Sequence, residues 1–283
     1  MLKIAGVVIL YNPKKEINEN ILSYINQVDF LYVVDNSELP SDQIEHIIKS
    51  NPKSLEVVRN NVNVGIASAL NIAAKKAIEN GFDLLLTMDQ DSRVSENYVS
   101  EMLLEFERDE CIGILSPYII HTKNPRMPVL TGLVEVATAM TSGSVIKLSA
   151  HVQIGGFLEK LFIDYVDNEY CLRMKKSGYK IFRNNSIYIY HELGEAKARK
   201  FIYKKVFPTN HSPRRWYYRT RNRFYVYKEY KNEFPDYIKF DKRVFIKDIV
   251  KILLYEKNKI QKFKMILIGY RDFKRDNFGR LID

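Results

Sequence analysis

From Ile4 to Tyr11 the chain reads IAGVVILY, an apolar run that is short for a helix and the right length for a strand buried on both faces. The pattern then alternates. Ile17 to Gln27 has helical character, Phe30 to Val34 (FLYVV) is a second strand, Asp42 to Lys49 is a polar stretch with helical potential, and Leu55 to Arg59 is a third strand. Gly65 opens and Gly81 closes a helix in which Ile66, Ala69, Leu70, Ala73, Ala77 and Ile78 recur at helical spacing. Phe82 to Thr87 is the next strand, Ser95 to Arg108 a helix, and Ile112 to Ile120 a strand. Val134 to Lys147 is a more ambiguous strand region rich in Thr, Ser and Gly. Phe162 to Gly178 places acids ahead of a helix closed by Gly178, and Lys180 to Tyr190 is a last strand. Strands alternating with crossover helices predict an α/β layer fold with a mostly parallel sheet. In such sheets ligands bind beyond the C-terminal strand ends.

Charge divides the chain. It holds 44 Lys and Arg against 34 Asp and Glu, a net of +10. From Glu195 to Asp283 there are 25 basic and 10 acidic residues, a net of +15, which leaves −5 for the rest. A soft boundary therefore falls near residue 195, between a domain of residues 1–195 and a basic, aromatic-rich helical region of residues 196–283. No apolar run approaches the roughly 18 to 20 residues of a membrane-spanning helix. The start of the chain lacks a small-residue cleavage site before Lys14 to Glu16, which argues against a signal peptide. Cys111 and Cys171 stand far apart without C-x-x-C or His companions, so neither a disulfide framework nor a zinc site is expected, and a reduced cytoplasmic setting fits.

Candidate chemistry gathers at the strand ends. LLLTMDQDSRV stops a buried strand at Asp89 and Asp91, a D-x-D whose hard oxygens suit Mg2+ or Mn2+ and, through the ion, a diphosphate. Alone, the tripeptide is as compatible with an ordinary turn. Asp35-Asn36-Ser37 follows the second strand, where a carboxylate can accept hydrogen bonds from a ribose or base; the same residues also favour a plain β-turn. Asn61, Asn63 and Gly65 come next. After the first strand stands Tyr11-Asn12-Pro13 instead of G-x-G-x-x-G, which disfavours a nicotinamide dinucleotide. LFIDYVDNEYCLR crowds Asp164, Asp167 and Glu169 at a helix start. The helix dipole tolerates acids there, and clustered carboxylates can also raise the proton affinity of a general base. His191 ends the last strand, in HELG, placed for a metal or phosphate as readily as for a structural role.

In this order, ILYNP, VVDNS, NVNVGIASALN, LTMDQDS, TSGS, FIDYVDNEYCLR and YHELG resemble the inverting glycosyltransferases of family 2, with the GT-A fold, and among them the rhamnosyltransferase branch. The resemblance spans about residues 3 to 195. It implies a Rossmann-like nucleotide-binding domain and a role for each matching position. Asp35 would contact the nucleoside, with Tyr11 and Asn12 near the base and Asn63 and Gly65 beside the nucleotide. Asp91 would be the principal metal contact, Asp89 would touch the ribose or assist the metal, and His191 would approach the metal-bound diphosphate. Asp167 would be the catalytic base, Arg173 matches the arginine ending that motif, and Ser142-Gly143-Ser144 would line the acceptor side, Gly143 letting backbone approach sugar. Two positions depart from the pattern. The acid pair before the base reads Val166-Asp167, so Asp164 stands in for part of the missing acid, and the D-x-D holds Gln90 at its centre. The resemblance implies dTDP-rhamnose as donor, a lipid-linked or oligosaccharide acceptor in surface polysaccharide synthesis, O-antigen among them, and a Mn2+ or Mg2+ cofactor.

The C-terminal region interleaves Arg with Trp and Tyr in HSPRRWYYRTRNRFYVYKEY, and Arg243 to Lys264 sets Val244, Ile246, Ile249, Ile252, Leu253 and Ile260 among lysines. This predicts either a helical appendage with a solvated face or a basic amphipathic surface on anionic lipid at the inner face of the plasma membrane. Two other functions compete. A sugar-nucleotide nucleotidyltransferase would need a Gly-rich basic loop where Asn12-Pro13 stands. A nucleic-acid-binding protein would use the Arg/Tyr interleaving but leaves the ordered acids unexplained, so no nucleic acid partner is expected.

Overall fold

The alternation of short apolar runs becomes a sheet in a computed structural model, which describes residues 2–14, 16–39, 42–50, 53–121, 127, 131–191, 199–201, 204–206 and 210–282. The elements run β1 (Ile4–Leu10), α1 (Ile17–Leu22), β2 (Phe30–Asp35), α2 (Glu45–Ser50), β3 (Leu55–Arg59), α3 (Ile66–Glu79), β4 (Leu84–Asp89), β5 (Ser92–Val94), α4 (Tyr98–Arg108) and β6 (Ile112–His121). There follow β7 (Leu133–Glu135), β8 (Ser144–Lys147), α5 (Leu148–Ile154), α6 (Val166–Lys176), β9 (Lys180–His191), β10 (Arg199–Phe201), β11 (Lys204–Val206), α7 (Pro213–Tyr230), α8 (Pro235–Tyr255) and α9 (Lys259–Lys274).

Among the described residues nine strands share one sheet, in the order β3-β2-β1-β4-β8-β6-β9-β5, with β7 also paired to β9. The β3-β2-β1-β4 half is parallel. Its apolar runs are covered on both faces, as continuous rather than alternating patterns require; Val8, Val33 and Leu86 are wholly buried, each worth about 1.5 to 3 kcal/mol. Register sets the functional edge. Leu10 pairs with Asp35 and Ile9 with Asp89, so the two acids flank the end of β1.

Three expectations change. The helix from Ile17 stops at Leu22, because Ser23 and Gln27 are used as ties: the Ser23 hydroxyl donates to Asn20 O and accepts from Val94 N, while Gln27 bridges Ser23 O, Ser95 O and Val99 N. On α3 the buried face is Ala67, Ala69, Leu70, Ala73, Ala74 and Ala77, and Ile78 is exposed. The region Val134 to Lys147 resolves into β7 and β8 separated by a loop, and α5 follows.

The chain divides into two compact units, residues 1–159 with 166–192, and residues 160–165 with 193–283. The second unit thus takes a short segment from inside the first domain expected from composition. It holds the β10–β11 hairpin and three helices. Ser212 caps α7 by accepting Arg215 N at 3.2 Å, with Pro213 in the first turn. Helix α9 crosses α7 closely at Gly269, where a Cβ would lie 2.5 Å from Tyr217 O. The interior of this unit sets buried polar pairs beside small apolar clusters, one of them Trp216, Ile252 and Ile266. Asp241 accepts from Arg223 (2.8 Å), Tyr165 (2.9 Å) and Tyr227 (2.7 Å), Lys262 pairs with Glu256 at 2.8 Å, and Arg221 donates to Gly279 O and Leu161 O. The Arg and Tyr interleaving along α7 is mostly interior: Tyr217, Tyr218, Arg221, Arg223 and Tyr227 are buried, and those side chains offer no stacking platform to a nucleic acid strand.

Candidate active site

The loops beyond β1, β2 and β4 are stitched together by their own polar side chains. The Asp35 carboxylate, buried, accepts from Ser37 N at 2.9 Å, and the Ser37 hydroxyl accepts from Asn12 N at 2.9 Å. Asn36 donates to Gly65 O, Asn60 donates to Asn36 Oδ1, and Asn63 Oδ1 accepts from Gly65 N at 3.0 Å. Gly65 holds φ 87° at the entry of α3, a conformation that favours glycine. Asn63 and Gly65 therefore shape the start of the helix whose N-terminal amides face this edge. Tyr11 and Asn12 are exposed beside it.

Gln90, the departure at the centre of D-x-D, acts as a clamp. Its side chain accepts from Tyr11 N at 2.9 Å and donates to Tyr11 O at 3.3 Å, while its own carbonyl accepts from Asn20 at 2.9 Å. The carboxylates on either side of it are thereby fixed to the end of β1. Asp89 is half-buried and Asp91 exposed. Asp89 N donates to the Ser142 hydroxyl at 3.1 Å, which in turn donates to Ser92 at 2.8 Å. His191 is the last residue of β9 and its backbone pairs with Ser92, next to Asp91; its side chain and Glu192 to Gly194 lie outside the described residues.

The segment 139–144 carries the site to its second carboxylate. On one side Ser142 holds Asp89. On the other, Met140, Thr141 and Ser144 share with Asp167, Phe157 and Cys171 the wall of a cavity of about 10 Å3, room for one water-sized group. Asp167 is half-buried in the first turn of α6 and accepts from Asn168 N at 2.9 Å. Burial, with Asp167 nearby, pushes the Cys171 thiol up to about 12, so it is a protonated wall residue and no nucleophile.

Three positions named from sequence turn out to be employed by the protein itself. Arg173 Nε and Nη2 grip the buried Glu169 at 2.8 Å each, and its remaining donors reach Ile154 O and Gly156 O. Gly143 sits at φ +78° with Pro117 Cγ 2.8 Å from where a Cβ would be, so the turn and its packing demand glycine whatever approaches from outside. Asp164 belongs to the second unit, where Arg215 Nε and Nη2 bind it at 2.7 and 2.6 Å. Burial pushes its carboxyl up, and Arg215 and Arg219 outweigh burial and hold it below the usual carboxylate range. The sequence reading passed over Gln90, Ser37 and Ser142 as positioning residues; each lay inside a motif already marked.

Among the described residues no cluster of three or more His, Cys, Asp or Glu is gathered as a metal cage. The donor set still suits Mg2+ or Mn2+, which are commonly held by one or two carboxylates together with substrate phosphates and water.

Residues 7–145, from the middle of β1 to the middle of β8, match the family model described as Glycosyl transferase family 2. The match lies within the first unit. The dTDP-rhamnosyl transferase RfbF of Shigella flexneri is 27% identical over 292 residues, covering 95% of this chain and 94% of the relative. The transferase fold recurs in solved structures. GalNAc-T7 with UDP, GalNAc and Mn2+ superposes with a TM-score of 0.62 at 14% identity, over 98% of this chain and 56% of that one. S. aureus TarS 1–349 in complex with UDP-GlcNAc gives 0.55 at 16% identity, over 96% and 73%. The chain thus spans little more than half the length of GalNAc-T7, and at these identities the likeness is one of fold. The family whose model matches and the α/β fold of these neighbours are those expected from the motifs.

Proposed function

We propose that this transferase moves L-rhamnose from dTDP-rhamnose to a hydroxyl of a lipid-linked or oligosaccharide acceptor, with inversion, in the cytoplasmic assembly of a surface polysaccharide. The observation that carries the reading is the joining of two carboxylate sites through segment 139–144, with Asp89 bonded to Ser142 and Asp167 beside Thr141 and Ser144. The 27% identical dTDP-rhamnosyl transferase supports the donor.

In this mechanism Asp35, with Tyr11 and Asn12 beside it, receives the nucleoside, and Gln90 keeps the D-x-D in register with that pocket. Asp91 and Asp89 would hold Mg2+ or Mn2+, which when bound neutralises charge on a leaving diphosphate. Asp167 takes the proton from the acceptor hydroxyl. The hydroxyl oxygen bonds to the anomeric carbon from the face opposite the nucleotide, and the bond to the diphosphate breaks with its electron pair leaving on the diphosphate oxygen. One displacement inverts the centre. Arg173, bonded to Glu169 and to the carbonyls ending α5, serves as the brace that sets the angle of α6 and so the aim of Asp167.

Titration calorimetry with dTDP-rhamnose, UDP-glucose and UDP-GlcNAc, with and without Mn2+, tests the reading. Metal-dependent binding of dTDP-rhamnose, lost in Asp91→Ala, is expected. Binding of another sugar nucleotide replaces the donor and keeps the transferase, whereas no nucleotide binding under any condition overturns both.

A further inference from the structure

The net charge of the second unit understates how its surface is built. Four carboxylates lie between Tyr237 and Arg275, and all four are buried: Asp241, Asp248, Glu256 and Asp272. Each is paired inside the unit, with Arg223, Lys251, Lys262 and Arg271 respectively. Outward, Lys239, Lys242, Arg243, Lys247, Lys257 and Lys264 are exposed. In this stretch the acids face inward and, Lys262 apart, most of the bases face outward; Glu229, Glu233, Asp236 and Asp276, which flank it, are exposed.

Large apolar side chains share that surface. Ile260 is 86% exposed, Leu267 70%, Leu254 53% and Leu253 51%. On α8, Ile246, Val250, Leu253 and Leu254 follow helical spacing, and on α9 Ile260 and Leu267 do the same. Leu253, Ile260 and Leu267 line one groove, of about 590 Å3, together with Phe263, Lys259 and Lys264. A second groove along α8 is lined by Lys231, Lys239, Lys242 and Arg243 with Ile238 and Ile246, and with no carboxylate. No helix among the described residues is long and apolar enough to cross a membrane.

We propose that the α8–α9 hairpin docks the protein on an anionic lipid bilayer, with Leu253, Leu254, Ile260 and Leu267 seated at the boundary of headgroups and acyl chains and the lysines around them on lipid phosphates. Charge complementarity selects this occupant. An apolar patch ringed by bases alone gains both hydrophobic burial and attraction to anionic headgroups, whereas a second copy of the same face would bring like charges together. The inference is independent of which sugar the first unit transfers.

Co-sedimentation of the full chain with phosphatidylglycerol-containing vesicles and with pure phosphatidylcholine vesicles, at low and high salt, is the test. Binding to the anionic vesicles is expected, with loss at high salt and little on the neutral ones. Leu253→Ser/Ile260→Ser should lower partitioning by about tenfold or more, and Lys257→Glu/Lys264→Glu should do so only at low salt; all these positions are exposed, and an unchanged melting temperature verifies the fold of each variant. No binding to anionic vesicles at low salt overturns the proposal, as does binding that ignores lipid charge. A concentration-dependent dimer abolished by Ile260→Ser, without vesicle binding, overturns it in favour of a second copy.

Discussion

Asp167 and Asp241 are the same side chain put to different uses in the two units. Asp241 is surrounded by donors of its own unit, Arg223 and two tyrosine hydroxyls, and is buried. Asp167 is half-buried, stands at a helix start and lines a cavity. Asp164, three positions earlier in the chain, follows the Asp241 pattern through Arg215. Where the paired arginine is itself buried, as Arg223 is beside Asp241 and the part-exposed Arg215 beside Asp164 is not, neutralising the carboxylate would strand a charge. Asp167 stands instead at a helix start, half-buried, beside the small polar residues Thr141 and Ser144.

Substitution sharpens that contrast. Asp167→Asn, nearly isosteric, should lower transfer by roughly 10²- to 10⁴-fold, the usual contribution of a general base, with donor binding and melting temperature nearly unchanged. A radiolabelled transfer assay alongside calorimetry separates the two quantities. Normal transfer by Asp167→Asn would remove Asp167 as base. Asp241→Asn should do the reverse. Leaving the Arg223 guanidinium buried against a neutral amide should cost about 3 to 5 kcal/mol, seen as earlier urea unfolding. An Asp241→Asn protein as stable as the parent would show that the polar interior of the helical unit is dispensable to its stability.

Much of the first unit was legible because its signals are local. Strands announce themselves as short apolar runs, and the candidate acids Asp35, Asp89 and Asp91 sit at their last residues or two positions beyond. What escaped depends on partners distant in sequence. The three-residue strand β5 has too little pattern to read and is defined by its pairing with β9. Ser23 and Gln27 look helical until Val94, Ser95 and Val99 are seen to bond them. Arg173 reads as a motif arginine, yet its carbonyl partners, Ile154 and Gly156, lie at and just beyond the end of α5. In the second unit, composition announces a basic surface but cannot reveal that Asp241 faces inward, because its partners come from α7 and from Tyr165.

The smallest expected effect concerns a feature the units share, a histidine whose surroundings disfavour its proton. His151 lies in the first unit, its Nδ1 2.9 Å from the Tyr170 hydroxyl and its ring against Phe157, with Arg173 nearby. Burial, then the Arg173 charge, pull it from 6.5 down to about 4. In the second unit burial, with Arg219 and Arg215, brings His211 down to about 4 as well. Between pH 6.5 and about 4 the unfolded chain binds the proton and the folded chain does not, so stability falls as pH falls, by on the order of 1 kcal/mol per pH unit for each histidine. His151→Gln, which retains a hydrogen-bonding partner for Tyr170, should lose some stability at pH 7 and flatten this acid slope by one histidine's share in urea titrations at pH 7, 6 and 5. The slope that remains would be due in part to His211. An unaltered slope in His151→Gln would mean that His151 takes up its proton in the folded protein, and that the Tyr170 and Arg173 environment does not keep the ring neutral.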